Sequence, residues 1–393
     1  MRAPFVPITF CIAAILFLAG AASTGTVQAQ SQARNSRATA APRAAPPTAI
    51  AEGEAESIER VNKWTVGIVG GMIEGAPIRF ATDIQIALDD GDELRVLPIV
   101  SRGVKQNVLD LLYLKGVDAA VLYTDALDEF RQEGKIKNID KRINYVSHLF
   151  LSGVHLLARP EITSLKDLEG KKVGFQGRGT GVSVTSAIVY GRTGVKVEPV
   201  FITNNQAIEK MKTGEMAALI YLVFKAHPSL TSIDPKLGFH LIPIPYDKFT
   251  DYYVPMTFES SDYPNLVKPN ESVESIAVPA VLAVYNWPKN SDRFRKVERF
   301  IKYYFSRFDK LRSPPFQKEW KEINLNATVP GWTRYWLADQ LLKEMQTAQQ
   351  QSSANTGAVF TSQEKALTSG MSDAEGQRML REFLEWKRQQ QKQ

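Results

Sequence analysis

"LRVLPIVSRGVKQNVLDLLYLKGVDAAVLYT", Leu94–Thr124, sets two short apolar runs on either side of a helical pattern. Neither run alternates strictly with polar residues, which suits strands buried on both faces. The interleaved "KQNVLDLLYLKG" suits a crossover helix, so the segment reads as part of a parallel sheet. The same reading extends to both sides. "WTVGIVG" (Trp64–Gly70) precedes "APIRFATDIQIAL", and "DALDEFRQEG" follows the third strand with Asp125 placed to cap its helix.

A second set repeats the pattern. "SLKDLEGKKVGFQG" gives a strand over 172–176, followed by a helix over 182–190. "VKVEPVFI" is a strand, "NNQAIEKMKTG" a helix closed by Gly214, and "MAALIYLVF" and "GFHLIPIP" are further strands. After a loop rich in Tyr, Pro and Asp, "SIAVPAVLAVY" returns as a strand. A helix then carries Phe294, Val297, Ile301, Tyr304 and Phe308 at helical spacing, stopped by Pro314 and Pro315. Two βα sets and a strand that returns late predict an α/β fold of two lobes, each a mostly parallel sheet flanked by helices. Crossing strands join the lobes, and a cleft lies between them.

The ends differ in composition. Arg2, the apolar "FCIAAILFLAG" and the small residues before Ala29 read as a signal peptide cut after Ala29, which implies export to a periplasm. The apolar core is short for a bilayer span, which needs about 20 residues. The only cysteine, Cys11, lies in that leader, so the mature chain is expected to hold no disulfide, thiolate metal site or cysteine nucleophile. Residues 30–60 are rich in Ala, Pro and Ser and read as a disordered linker. The lobes are expected at 61–156 plus 249–345 and at 157–248. A polar linker over 346–371 leads to a final amphipathic helix over 372–393, with Ser372 and Glu375 as its capping box. Its stripe of Met379, Leu380, Phe383 and Leu384 suits docking onto the body or a partner. The net charge of +6 comes from scattered basic residues, which argues against nucleic acid as a partner.

The chemistry-bearing candidate is "VGFQGRGTGVSVTSAIVYG", Val173–Gly191. Gly177, Gly179 and Gly181 give G-x-G-x-G rather than the dinucleotide G-x-G-x-x-G, since Val182 stands where the last glycine belongs. No P-loop occurs, and "GVSVT" lacks the closing glycine of a hydrolase elbow around Ser183. His148, His155, His227 and His240 show no zinc-ligand spacing, so neither a metal nor a cofactor is expected. Asp89, Asp90, Asp92 and Glu93 around Gly91 read as a solvated turn. Two readings of the glycine loop remain open: a plain strand–helix turn, or a nest whose amides, helix dipole and Arg178 fork hold an anion.

"GKKVGFQGRGTGVSVTSA" after "SLKDLE" resembles the second-lobe entrance of the TAXI-type solute-binding proteins, the periplasmic receptors of one branch of TRAP (tripartite ATP-independent periplasmic) transporters. "VGIVGG", "VSRGVKQNVLDLLYLKGVDAAVLYTDAL", "NNQAIEKMKTGEMAALIYLVF" and "VESIAVPAVLAVY" are similar to family segments in the same order, over roughly Trp64 to Leu311. The resemblance implies a type II periplasmic-binding-protein fold and a receptor that is not an enzyme. Its partners would be a small carboxylate-bearing solute and the membrane components of a TRAP-type transporter. Ligand contacts implied by position are Gly70, Gly71 and Met72, then Ser101, Arg102 and Gly103, then Tyr123 and Thr124. The second lobe would add Gly177, Arg178, Gly179, Thr180, Gly181 and Ser183, and Tyr221. Arg102 and Arg178 would face one carboxylate from opposite lobes, with Tyr123 and Tyr221 sandwiching the ligand. The chain departs from the family pattern at Met72, Ile73, Glu74, Val182 and Ala217. The alternatives are a sensor or assembly protein acting through the C-terminal extension and, further off, a secreted hydrolase using Ser183.

Overall fold

The computed structural model describes residues 52–351, apart from 92 and 349, together with Arg378. The leader and the 372–393 helix, Arg378 aside, lie outside the described residues, as do most of the two linkers. Ten strands form the sheet: β1 Thr65–Gly71, β2 Arg95–Val100, β3 Ala119–Tyr123, β4 Ile143–Ala158, β5 Lys172–Gly174, β6 Glu198–Val200, β7 Ala218–Val223, β8 His240–Ile242, β9 Val254–Glu259 and β10 Ser272–Tyr285. Their order is β2-β1-β3-β10-β4-β7-β5-β6, with β8 beside β4 and β9 beside β10.

That order is two parallel sets joined by two long strands. β1 runs parallel to β2 and β3, and β5 runs parallel to β6 and β7. Between them β4 and β10 pair antiparallel from Ile143–Tyr285 to Gly153–Ala277. β3 pairs with Ala280–Val284 of β10, whereas β7 pairs with Gly153–Ala158 of β4. The crossing strands therefore serve one lobe with one end and the second lobe with the other. Their register shifts between Pro279 and Val281 and again between Leu282 and Ala283. Proline has no amide to give a ladder, so a position beside an irregularity suits Pro279.

The βα alternation follows the apolar runs. The helices Ala76–Leu88 and Val104–Tyr113 cross over between the first three strands, burying Ile78, Phe80 and Ile84 and then Val108 and Leu111. Gly181–Thr193 and Asn204–Thr213 do the same in the second lobe, the latter closed by Gly214 at φ 83°. Asp292–Ser306 buries Phe294, Val297, Phe300, Ile301 and Tyr304 at the expected spacing.

Four expectations need correction. First, β4 did not stand out as a strand, because Asn144, Ser147, Ser152 and His155 interrupt its apolar run. Each of the last three is matched from far along the chain. Ser147 Oγ lies 2.8 Å from the Tyr304 hydroxyl and Ser152 Oγ lies 3.3 Å from that of Tyr123. His155 Nδ1 sits 2.9 Å from the Gly153 carbonyl and Nε2 sits 2.7 Å from the Tyr263 hydroxyl. Burial pushes the His155 pKa down to about 3, so the ring is neutral: Nδ1–H donates to the carbonyl and Tyr263 O–H donates to Nε2. Second, the "loop" before the returning strand contains β9, paired along Ser272–Ala277. Third, the linker read over 30–60 is helical from Glu52 to Lys63. Acidic residues early in this helix and Arg60 and Lys63 in its last turn complement its dipole. Fourth, residues 336–348 are helical, so the helix continues past Met345 into the expected polar linker. Among the described residues no helix is long and apolar enough to cross a membrane.

Candidate ligand-binding cavity

Open α/β sheets bind ligands beyond the carboxyl ends of their strands, because loops and helix N-termini converge there. A cavity of about 340 Å³ occupies that place here. Gly70, Gly71 and Met72 after β1, and Gly103 and Val104 after β2, line its first-lobe side. Gln176, Thr180, Gly181, Asn204 and Tyr221 line its second-lobe side. Tyr123 closes the end of β3, and Leu222, Val223 and Phe224 add apolar surface. Burial raises the hydroxyls of both Tyr123 and Tyr221 to about 12, so each stays protonated and able to donate.

The positive charge comes from an unexpected residue. Arg79, four residues after Gly75 and in the first turns of the Ala76–Leu88 helix, lines the cavity and is exposed. Among the described residues it has no hydrogen-bond or ion-pair partner. Glu74, on the same wall, has none either. His227 lines the opposite side, where burial and then the Arg79 charge hold its pKa below the ordinary value, against a smaller opposite pull from Glu319. Its Nδ1 accepts from the Ser229 amide at 3.2 Å, which leaves Nε2 as the protonated nitrogen of the neutral ring.

Three long helices also aim their N-termini here. Gly75 and Gly103 begin theirs with no side-chain cap; Pro77 has no amide and Lys105 N is taken by Gly179 O, so the amides of Ala76, Ile78, Val104 and Gln106 are left for solvent or a guest. Thr180 begins the third; its Oγ1 accepts from Ser183 N at 3.2 Å, and the amides of Gly181 and Val182 have no partner among the described residues. Partial positive charge from each end adds to that of Arg79, against the Glu74 carboxylate on the same wall.

The glycine loop also joins the two lobes. Thr180 N and Thr180 Oγ1 both donate to Gly177 O, and Ser183 Oγ donates to Thr180 O, so these hydroxyls are spent within the loop. Gly179 O instead accepts from Lys105 N of the first lobe at 3.2 Å. A Cβ on Gly103 would come within 2.6 Å of that carbonyl oxygen, at a φ of 137° that side chains avoid. A Cβ on Gly181 would come within 2.6 Å of the Tyr123 ring. The glycines let the two lobes touch backbone to backbone and backbone to ring.

Beside this seam lies Asp125, expected as a helix cap. It is fully buried instead, and its Oδ2 accepts from Thr185 Oγ1 at 2.7 Å and from the Tyr253 hydroxyl at 2.9 Å. Thr124 is equally buried; its carbonyl accepts from Trp332 Nε1 at 3.0 Å. Asp89 and Asp90 accept backbone amides within their turn, and Asp90 also pairs with Arg307 at 3.0 Å.

Of the positions expected to touch ligand, Gly70, Gly71, Met72, Gly103, Tyr123, Thr180, Gly181 and Tyr221 share the cavity wall. Ser101, Arg102, Thr124, Gly177, Arg178, Gly179 and Ser183 do not line it. Ser101 Oγ bonds with Asn107 and accepts from Gly103 N, bracing the turn, while Arg102 reaches Gln106 at 3.2 Å. Arg178 stacks its guanidinium 3.7 Å from the centre of the Phe201 ring. Arg79, Glu74, Gln176, Asn204 and His227 were missed. Arg79 alone left a signal: it falls one helical turn after Gly75, on the side its helix start presents to the cavity.

A family model described as "NMT1/THI5 like" matches residues 97–254, from within β2 to the first residue of β9. Among solved structures, the chain is similar to XAC2383 from Xanthomonas citri bound to ATP (11% identity, TM-score 0.43, 66% of this chain and 89% of that one). It is also similar to a TctC solute-binding protein from Polaromonas (15%, 0.38, 63% and 87%). A third is an ancestral arginine-binding protein bound to arginine (17%, 0.37, 63% and 96%). No curated protein matches the chain.

Proposed function

We propose that this chain is an exported receptor that captures a small carboxylate-bearing organic solute between its lobes. The observation that carries the reading is Arg79, an unpartnered guanidinium on the wall of a cavity that both lobes line. A planar fork suits a carboxylate, and the three helix starts add to it. Apolar and aromatic side chains from β7 and Tyr123 would hold the solute's body, with Asn107, Gln176 and Asn204 supplying polar contacts. Capture proceeds by closure of lobe 61–156 plus 249–345 on lobe 157–248 about β4 and β10. The ligand favours the closed form only through contacts that the open form lacks. Binding rather than catalysis is further supported by Ser183, whose hydroxyl is committed to Thr180 O.

Delivery to a TRAP-type membrane transporter, and a TAXI-type kinship within the broader match, are the finer part of the proposal. They rest on the ordered sequence resemblance and on the leader before Ala29. The test is a thermal-shift and calorimetric screen of the full mature chain against mono- and dicarboxylates, amino acids and amines. Stabilisation by a carboxylate, lost in Arg79→Ala and kept in Arg178→Ala, is the expected result. No response to any acid, or a response indifferent to Arg79, overturns it.

A further inference from the structure

The seam between the lobes holds an acid that ligand capture has not accounted for. Asp125 ends β3's exit in the first lobe, and Thr185 sits on the Gly181–Thr193 helix of the second. Tyr253 comes from the chain just before β9. The three meet with no exposure of Asp125 at all, and both bonds to its Oδ2 come from neutral hydroxyls. Its Oδ1 is buried with no partner among the described residues.

The charges around it do not neutralise it. From its own exit helix come Asp128, which adds like charge, and Arg131, which is paired with Asp128 and Asp140. From the Val104–Tyr113 helix comes Lys105, bonded to Glu129. From the Gly181–Thr193 helix comes Arg192, held by both oxygens of Asp251 at 2.8 and 2.7 Å and by Tyr252. Tyr252 in turn bonds Asp128. The neighbouring stretch of β10, Ala280–Val284, is apolar, and Tyr123 is a neutral phenol. A carboxylate shut in this setting is poorly solvated, whereas the neutral acid loses far less by burial and still accepts both hydroxyls through Oδ2.

We propose that Asp125 is a positioning residue that latches the closed form against Thr185 and Tyr253, so that closure, and with it ligand retention, strengthens in mildly acidic surroundings. This rests on the receptor reading above, since opening the lobes is what would return Asp125 to water. The sign follows from linkage. In the closed form burial lifts the Asp125 pKa from 3.8 to about 6, and in an open form it reverts towards the ordinary aspartate value. The closed form then binds the proton more tightly. Its advantage is complete below the lower value, is lost as pH rises through the higher one, and is flat beyond. Between pH 7.5 and 5 the closed-to-open ratio should rise about tenfold.

The experiment needs no ligand. Nitroxides are placed at exposed positions of the two lobes, by Lys115→Cys and Lys236→Cys in a full chain carrying Cys11→Ser, and interlobe distances are recorded from pH 5 to 8. The expected result is a shift towards the longer distance as pH rises from 5, nearly complete by pH 7, and absent in Asp125→Asn, which stays at the short distance throughout. Thr185→Val keeps the acid but removes a donor to its charged form, and should carry the pH dependence to higher pH while weakening closure overall. Identical distributions in the parent and Asp125→Asn at every pH overturn the latch. The acid panel judges the receptor separately: acids that shorten the distance equally in both proteins at all pH values leave the receptor standing and the latch refuted.

Discussion

The two faces that meet around the cavity are finished to different degrees. Along the seam the bonds run from lobe to lobe: Lys105 N on Gly179 O, Gly181 against the Tyr123 ring, and Thr185 and Tyr253 on Asp125 Oδ2. On the wall a few ångströms' reach away, Arg79 and Glu74 have no protein partner among the described residues, and first-turn amides are free. Exposed groups at the edge of a cavity are held by water and can exchange it for a guest, whereas groups bonded across a seam stabilise one arrangement of the lobes. The contrast separates the residues proposed to select a ligand from those that hold the lobes together.

The sharpest way to break that separation is at Gly103. Gly103→Val places carbon against the Gly179 carbonyl and imposes a disfavoured φ, so the lobes cannot meet. Binding of an acid found by the panel should fall about 100-fold or more, roughly 3 kcal/mol, while far-ultraviolet circular dichroism is unchanged. Arg79→Ala should cost about 1.5–3 kcal/mol of affinity by calorimetry, with melting temperature of the free protein unaltered, and Arg79→Lys should recover part of it.

The seam offers a stability counterpart. Asp125 has its pKa raised in the folded protein, so it favours folding below its unfolded value and ceases to as pH rises through about 6. Asp125→Asn should therefore raise urea-unfolding stability by about 1–3 kcal/mol at pH 7.5 and add little near pH 4. Thr180→Ala, which removes the cap on Ser183 N, should cost about 1 kcal/mol in the same assay. Arg178→Ala, over Phe201 and outside the cavity, should change affinity by less than about threefold.

The legible parts of this protein are those governed by local rules. Apolar runs such as Ala119–Tyr123 and the helical spacing of Phe294, Val297 and Ile301 announce themselves, because burial dictates residue type at short period. β4 does not, since Ser147, Ser152 and His155 look solvated until Tyr304, Tyr123 and Tyr263 arrive from elsewhere to satisfy them. The glycine loop is legible as a turn, but its partner is not: the carbonyl of Gly179 meets a first-lobe amide some seventy residues upstream. Arg79 was passed over for the opposite reason. On a helix an exposed arginine is the ordinary surface residue, and only the facing lobe turns that surface into a pocket.

Two tryptophans between the Asp292–Ser306 helix and the 336–348 helix reach back to the first parallel set. Trp320 Nε1 donates to Asp83, on the same helix as Arg79, at 2.7 Å, and Trp332 Nε1 fastens the Thr124 carbonyl beside Asp125. The tail of the chain thus straps the first lobe across its back. In the proposed closure, the jaw that carries the guanidinium would act as the braced anvil.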